Sequence, residues 1–244
     1  LEQRGYSLFV STAQGNDEQY DKLVHRFLER RVDALLCIHG AGTGAALARF
    51  ISANIPVAAL ISQSGGYEQL PLFDPTISQA AKACVSRLKE FGHRRILVLH
   101  PGRASPTLDK FMATALQAKI SVEKQDIQPG SFNAEEVLQR ARRSPAITAI
   151  IAPHTEAAQL CIAAERISLD IPKTLSIVAL RDRALQVAAT RVALSMINLD
   201  PSKIGSVAAD LIVEQLSSGT KLKRKTAVEI GSWLDRDTLG PAAR

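Results

Sequence analysis

Phe91-Gly92-His93-Arg94-Arg95-Ile96-Leu97-Val98-Leu99-His100 is the stretch on which the fold turns, because it closes one kind of element and opens another within a few residues. Thr76-Ile77-Ser78-Gln79 upstream has the form of a capping box and opens a helix that runs to Phe91. Gly92 stops that helix, since glycine takes the left-handed conformation of a helix end without steric cost. The next apolar run, Ile96-Leu97-Val98-Leu99, does not alternate, so the strand it forms must be buried on both faces.

The same unit repeats in both directions. Ser7-Leu8-Phe9-Val10 reads as a strand, and Asn16 caps a helix with Tyr20, Leu23, Val24, Phe27 and Leu28 at helical spacing. Ala34-Leu35-Leu36-Cys37-Ile38 is a second strand, followed by a helix through Leu47, Phe50 and Ile51. Strands are predicted over 57–61, 70–73, 122–127, 147–152 and 176–180, with helices over 107–118 and 156–167 and one capped by Asn133 with Glu136. Asp200-Pro201 places a cap and a first-turn proline before a helix over 204–216, closed by Gly219. Doubly buried strands alternating with helices mean parallel sheets covered on each side. There are too many such units for one open sheet, so two α/β subdomains are expected, with ligands beyond the carboxyl ends of the strands and in the cleft between the sheets.

Composition narrows the class. Hydrophobic residues make up 46% and charged residues 22%, the balance of a folded globular chain. No apolar run is long enough to span a bilayer as a helix. Leu1-Glu2-Gln3-Arg4-Gly5 reads as a helix end closed by glycine, so further chain is expected upstream, and the lack of a signal-peptide pattern carries little weight. Cys37, Cys84 and Cys161 are an odd, widely spaced set, read as buried inert thiols in a reducing compartment. The net charge of +6 is scattered except at Lys221, Lys223, Arg224 and Lys225, a run read either as a solvated loop or as a small contact with a polyanion.

Little in the chain points to catalysis. Gly40-Ala41-Gly42-Thr43-Gly44-Ala45 has the spacing of a dinucleotide loop, but the following strand ends in Leu60-Ile61-Ser62 without the acidic residue that ribose hydroxyls require. It reads as a packing loop or, failing that, as a nucleotide site. His39, His100 and His154 each follow a strand and are either cleft-lining groups or hydrogen-bonded loop residues, while His25 belongs to an exposed helix face. No histidine has metal-ligand spacing to another His, Cys or carboxylate, there is no nucleophile elbow, and Asp74 and Asp182 follow strands without an acid–base partner. No metal, no cofactor and no enzymatic activity are expected.

Taken together, six short segments in order resemble the effector-binding region of LacI/GalR-type transcription regulators from Gly5 to Thr238. Arg31-Val32-Asp33-Ala34-Leu35 is similar to that family's "RVDGLI", Asn54-Ile55-Pro56-Val57 to "GIPVV", and Phe91-Gly92-His93-Arg94-Arg95-Ile96 to "LGHRRI". Ile171-Pro172 with Leu175-Ser176-Ile177-Val178 looks like "VPEDLSVVG", Asp200-Pro201 with Ile204-Gly205 like "DP…IG", and Arg236-Asp237-Thr238 like the terminal "RES/T". The resemblance implies a type I periplasmic-binding-protein-like fold of two doubly wound parallel-sheet α/β lobes. One lobe would hold 1–74 and 200–225 with its first strand missing, and the other 75–199 and 226–244. It also implies a cytoplasmic homodimer whose small-molecule effector shifts the lobes and thereby operator affinity, through a DNA-binding headpiece absent from this chain. A periplasmic solute-binding protein of a transporter shares the fold and is the alternative.

The family's polar anchors map onto Thr107, His154 and Arg181, each a departure from the usual Arg, Asn and Asp, while the stacking aromatic is retained as Phe132. Asp74 and Asp182 complete the candidate effector set. A cation where sugar-binding members carry an acid disfavours neutral sugars and, with His154, favours an anionic effector, because guanidinium pairs with carboxylate or phosphate through two hydrogen bonds. The alternatives are an altered, non-binding pocket or an internal pair of Arg181 with Asp182 or Asp74.

Overall fold

Two compact units make up the chain, one from 1–75 and 202–228 and the other from 76–201 and 229–244. The structure, a computed structural model, describes residues 1–13, 16–38, 44–60, 72–101, 105–128, 131–143, 147–181, 192–219 and 225–243.

The first unit holds helices α1 (Asp17–Glu29) and α2 (Gly44–Ser52) and strands β1 (Leu35–Ile38), β2 (Val57–Leu60) and β3 (Leu72–Thr76). Strand β9 (Lys225–Glu229) completes a sheet of order β1-β2-β3-β9, in which β1, β2 and β3 run parallel. The Asn16 carboxamide accepts from the Gln19 amide at 3.0 Å, as its cap position predicts. Val24, Leu47 and Phe50 from the two helices close over Cys37 and Val57, so the helical spacing of the apolar residues becomes a shared core. Helix α7 (Pro201–Ser218) ends at Gly219, whose φ of +66° is the left-handed value a side chain disfavours.

The second unit is larger. Helices α3 (Ser78–Glu90), α4 (Pro106–Gln117), α5 (Ala134–Arg143) and α6 (His154–Arg166) alternate with β4 (Arg95–His100), β5 (Ser121–Asp126), β6 (Ala149–Pro153) and β7 (Ser176–Arg181). With β8 (Ser195–Leu199) and β10 (Gly231–Leu234) the sheet order is β10-β8-β7-β6-β4-β5, parallel except for β10. Leu97, Leu99, Ile150, Ala152, Ile177 and Ala179 pack with Val137, Leu138, Leu160 and Cys161 of α5 and α6. The pleat sends Ile96, Val98, Ile151 and Val178 to the opposite face, also fully buried, which is why these runs do not alternate. Gly231 lets α3 approach β10, since a Cβ there would lie 3.0 Å from both Ala80 and Ile77.

The structure departs from the sequence reading in three places. Ser7-Leu8-Phe9-Val10 joins no ladder among the described residues; a strand needs an adjacent edge, and Phe9 instead lies under the Arg30 guanidinium. The expected capping box at Thr76 is replaced: the Thr76 hydroxyl accepts from the Ser78 amide at 3.1 Å, and the Glu229 carboxylate, brought by β9, accepts from the Gln79 amide at 3.2 Å. Strands β8, β9 and β10 were not predicted, because their short, mixed polar and apolar sequences carry no strong period.

One network ties the second unit together. The tail after β10 crosses the amino ends of β4, β6, β7 and β8. His93, fully buried, sets one ring nitrogen 2.8 Å from the Thr148 hydroxyl and the other 2.9 Å from the Gly240 carbonyl. A carbonyl only accepts, so Nε2 carries the proton and Nδ1 accepts from Thr148. The Thr238 hydroxyl donates to the Ile177 carbonyl at 2.6 Å and accepts from the Ser195 amide at 2.9 Å, while the Ile177 amide donates to the Thr238 carbonyl. Ser176 bonds Gly240, and the Ser195 hydroxyl accepts from the Arg236 amide. Gly240 fits against Pro172 so closely that a Cβ would sit 2.9 Å from the ring. Arg87 closes the outside, stacked on Phe91 and paired with Asp235 at 2.7 Å.

The three thiols are buried, and burial raises the pKa of each, that of Cys161 to about 12.

Thr238→Val leaves the Ser195 amide and the Ile177 carbonyl without their hydroxyl at nearly unchanged volume. An unmet buried polar group costs about 1–3 kcal/mol, so the melting temperature of the second unit should fall by about 4–8 °C in differential scanning calorimetry.

Burial also pushes the His93 pKa below its ordinary value, so the neutral ring is the native form. The folded value lies below the unfolded value of about 6.5, so this stability is complete above about pH 6.5 and is lost as pH falls. Melting temperatures should therefore drop between pH 7.5 and 5, and His93→Gln, less stable throughout, should show a shallower drop. An equal slope in both proteins would refute this role for His93.

Candidate functional site

The network of the tail occupies the amino ends of the strands, and the carboxyl ends form the opposite edge of the sheet. Parallel pairing sets His100 opposite Asp126, Val98 opposite Ile151, Pro153 opposite Leu180 and Arg181 opposite Asn198. The strand ends therefore bring Asp126, His100, Pro153 with His154, Arg181 and Asn198 to one edge of the sheet, in that order across it. This is where an open α/β sheet binds ligands, because loops and helix amino ends converge there.

His100 organises one end of the row. Its ring is almost fully buried, with Nε2 3.4 Å from Asp109 of α4 and Nδ1 3.5 Å from Asp126 of β5. Asp126 also pairs with Lys124 at 3.1 Å. One imidazole thus links the end of β4, the end of β5 and the first turn of α4, the turn that carries Thr107. His100 was read from the sequence only as a strand-end histidine; its two carboxylate neighbours come from separate elements and are invisible to spacing.

The six predicted positions fall as follows. Thr107 is half-buried in the first turn of α4, and His154 is the first residue of α6, directly after β6 and half-buried. Arg181 is the last residue of β7. These three belong to the carboxyl edge of the second unit. Asp74 lies in β3 of the first unit, and Asp182 falls outside the described residues. Phe132 precedes α5, packs against the core cluster and lines a depression of about 610 Å³ with Asn133, Gln159, Ile162 and Arg166. Thr107 and His154, the other predicted positions of this unit with described side chains, do not line that depression.

The remaining motifs resolve differently. His93, quoted as part of a family signature, is a structural joint. His25 sits on the exposed face of α1, 3.4 Å from Glu29. His39 and Gly40-Ala41-Gly42-Thr43 lie outside the described residues, as do Lys221, Lys223 and Arg224. Among the described residues no helix is long and apolar enough to cross a membrane.

Two α/β units, the larger one clasped at the amino ends of its strands and polar along the carboxyl edge, define a ligand-sensing core. Residues 85–239, more than half of the chain, match the family model described as periplasmic binding protein-like domain, and the chain belongs to that family. It is 25% identical over 233 residues to the HTH-type transcriptional regulator reg1 of Streptomyces lividans, spanning 88% of this chain and 67% of the relative. A LacI family regulator from Bifidobacterium animalis subsp. lactis is similar in structure with a TM-score of 0.78 at 22% identity, over 99% of this chain and 90% of that one. A LacI family regulator from Enterococcus faecalis, solved with bound ribose, gives 0.73 at 15% identity over 98% and 90%. These comparisons support the effector-binding core of a LacI-type regulator over the binding protein of a transporter.

His100→Ala removes the link between two strand ends and α4. Amide exchange followed by mass spectrometry should then rise in the first turn of α4 and at Asp126, with α5 and α6 unchanged; unaltered exchange in α4 would refute the linking role.

Proposed function

We propose that a small-molecule effector binds at the carboxyl edge of the second unit and that its binding is passed on as a change in operator affinity. The chain acts in this reading by binding rather than by catalysis, in the cytoplasm, as a homodimer, with DNA contacted through a headpiece. The observation that carries it is the row of polar strand ends, His100, His154, Arg181 and Asn198, in a core of the regulator type. An effector that prefers one arrangement of the protein shifts the population toward it, with couplings of about 1–3 kcal/mol typical of such linkage.

The chemistry of the row suggests what the effector carries. Asp109 and Asp126 give the β4–β5 end an acidic character suited to hydroxyls, since carboxylates only accept hydrogen bonds. His154 and Arg181 give the β6–β7 end a basic character. The effector is accordingly a polyol or sugar-like molecule bearing a carboxylate or phosphate, with the anion at β6–β7. Thr107, Phe132, Asp74 and Asp182 are the further candidate contacts.

Thermal-shift measurements with sugar phosphates and sugar acids against free ribose, lactose and maltose test this. At least one acid should raise the melting temperature of the wild type, by the equivalent of about 2.7 kcal/mol at a hundredfold excess over Kd, and lose the effect in Arg181→Ala. Shifts by neutral sugars alone, or an acid shift that survives Arg181→Ala, would overturn the anionic reading.

A further inference from the structure

At the β4–β5 side of the second unit, cations that are far apart in the sequence come together. Arg94 and Arg95 open β4, Lys119 sits in the turn before β5, and Arg140, Arg142 and Arg143 close α5. Pairing and side-chain bonds join these segments. The Ser121 amide donates to the Arg94 carbonyl at 2.8 Å, in keeping with the register of Arg95 on Ser121. The Arg95 guanidinium donates to one oxygen of the Glu123 carboxylate at 2.8 Å, and Arg140 donates to the other. Arg140 also donates to the Gln125 side-chain oxygen at 2.6 Å, which holds the end of α5 against β5.

The charge there does not cancel. Residues 94–95, 116–123 and 139–143 carry six cations, and Glu123 is their one carboxylate. Arg94, Lys119, Arg142 and Arg143 make no ion pair among the described residues. Glu123 engages one nitrogen of each guanidinium, so it orients Arg95 and Arg140 while leaving each further N–H groups to donate. The dipole of α5 favours a cation in its last turn, which accounts for Arg142 or Arg143 but not for Arg94 or Lys119 on other elements. Like charges gathered on one surface repel, and a bound polyanion relieves that repulsion.

We infer that this cluster binds the phosphate backbone of double-stranded DNA, without regard to base sequence. All six cations are exposed, and none lines the depression beside Phe132. A small anion is held in a concave pocket, whereas an open array of cations fits an extended row of charges. Duplex DNA presents such a row, with one charge for about every 1.7 Å of its axis. Five of the six cations are arginines, whose planar fork matches phosphate through two hydrogen bonds. The same segments contain no Phe, Tyr or Trp on which an unpaired base could stack, which favours a duplex over a single strand. Contacts of this kind position a protein on DNA and read no bases. The cluster lies at the opposite end of the strands from His100 and Arg181, so the inference stands apart from any effector bound there.

The experiment uses the 244-residue chain and two short DNA duplexes of unrelated sequence, with fluorescence anisotropy read from about 50 to 200 mM salt. Both duplexes should bind alike, and log K should fall against log salt with a slope of about −4, as expected for about four neutralised phosphates. Arg142→Gln combined with Arg143→Gln should weaken binding about tenfold and flatten the slope by about 2. Arg94→Gln combined with Lys119→Gln should do the same from separate elements, so damage to one helix end cannot mimic the result. Lys22→Gln combined with Arg26→Gln, exposed on α1, removes equal charge and should change neither quantity. No binding at the lowest salt, an equal loss in the α1 pair, a slope that neither cluster pair alters, or capture of single-stranded RNA but not of duplex DNA would each overturn the inference.

Discussion

The buried contact between His93 and the Gly240 carbonyl is the constraint on which the larger unit depends. It joins a residue just before β4 to the end of the chain, across most of the unit's sequence. Around it, Thr148, Ser176, Ser195 and Thr238 supply the hydroxyls that meet main-chain groups left over at the strand starts. Among the described residues, four of the five buried polar side chains, His93, Ser176, Ser195 and Thr238, serve this one network, and the fifth is His100 at the opposite edge. A half-met polar network costs more than an apolar core, so the tail is held by all of these bonds together.

This arrangement assigns the two ends of the sheet different tasks. At the amino ends the interior is buried and hydrogen-bonded, which keeps the parallel strands in register. At the carboxyl ends the row is polar apart from Pro153, and the buried His100 ring stands between two carboxylates. The hydrogen-bonded joint and the polar strand ends thus lie at opposite ends of the strands. The signatures that identify the family, Gly92-His93-Arg94-Arg95 and Arg236-Asp237-Thr238, belong to the closed end; they mark the scaffold and are silent about the ligand.

The separation also explains why family membership and effector identity come apart. The scaffold depends on close contacts such as that of Gly240 on Pro172, where an added Cβ would lie 2.9 Å from the ring. Thr107 and His154 are half-buried at the starts of α4 and α6, and Arg181 ends β7.

Much of this protein was determined by its sequence alone. Apolar runs such as Ile96-Leu97-Val98-Leu99 required doubly covered parallel strands, and Asn16, Asn133, Gly92 and Gly219 set helix ends through local chemistry that involves only neighbours. Strand ends were legible too, and with them His100, His154 and Arg181 as edge residues. The tertiary structure decided whatever rests on partners distant in sequence. It placed Glu229 rather than Gln79 at the start of α3, made His93 a joint, set Asp109 and Asp126 on either side of His100, and sent Phe132 to a depression lined with Gln159, Ile162 and Arg166 of α6. It also left Ser7-Leu8-Phe9-Val10 without a ladder. A strand's propensity is a property of its residues, whereas its pairing is a property of the edge that lies beside it.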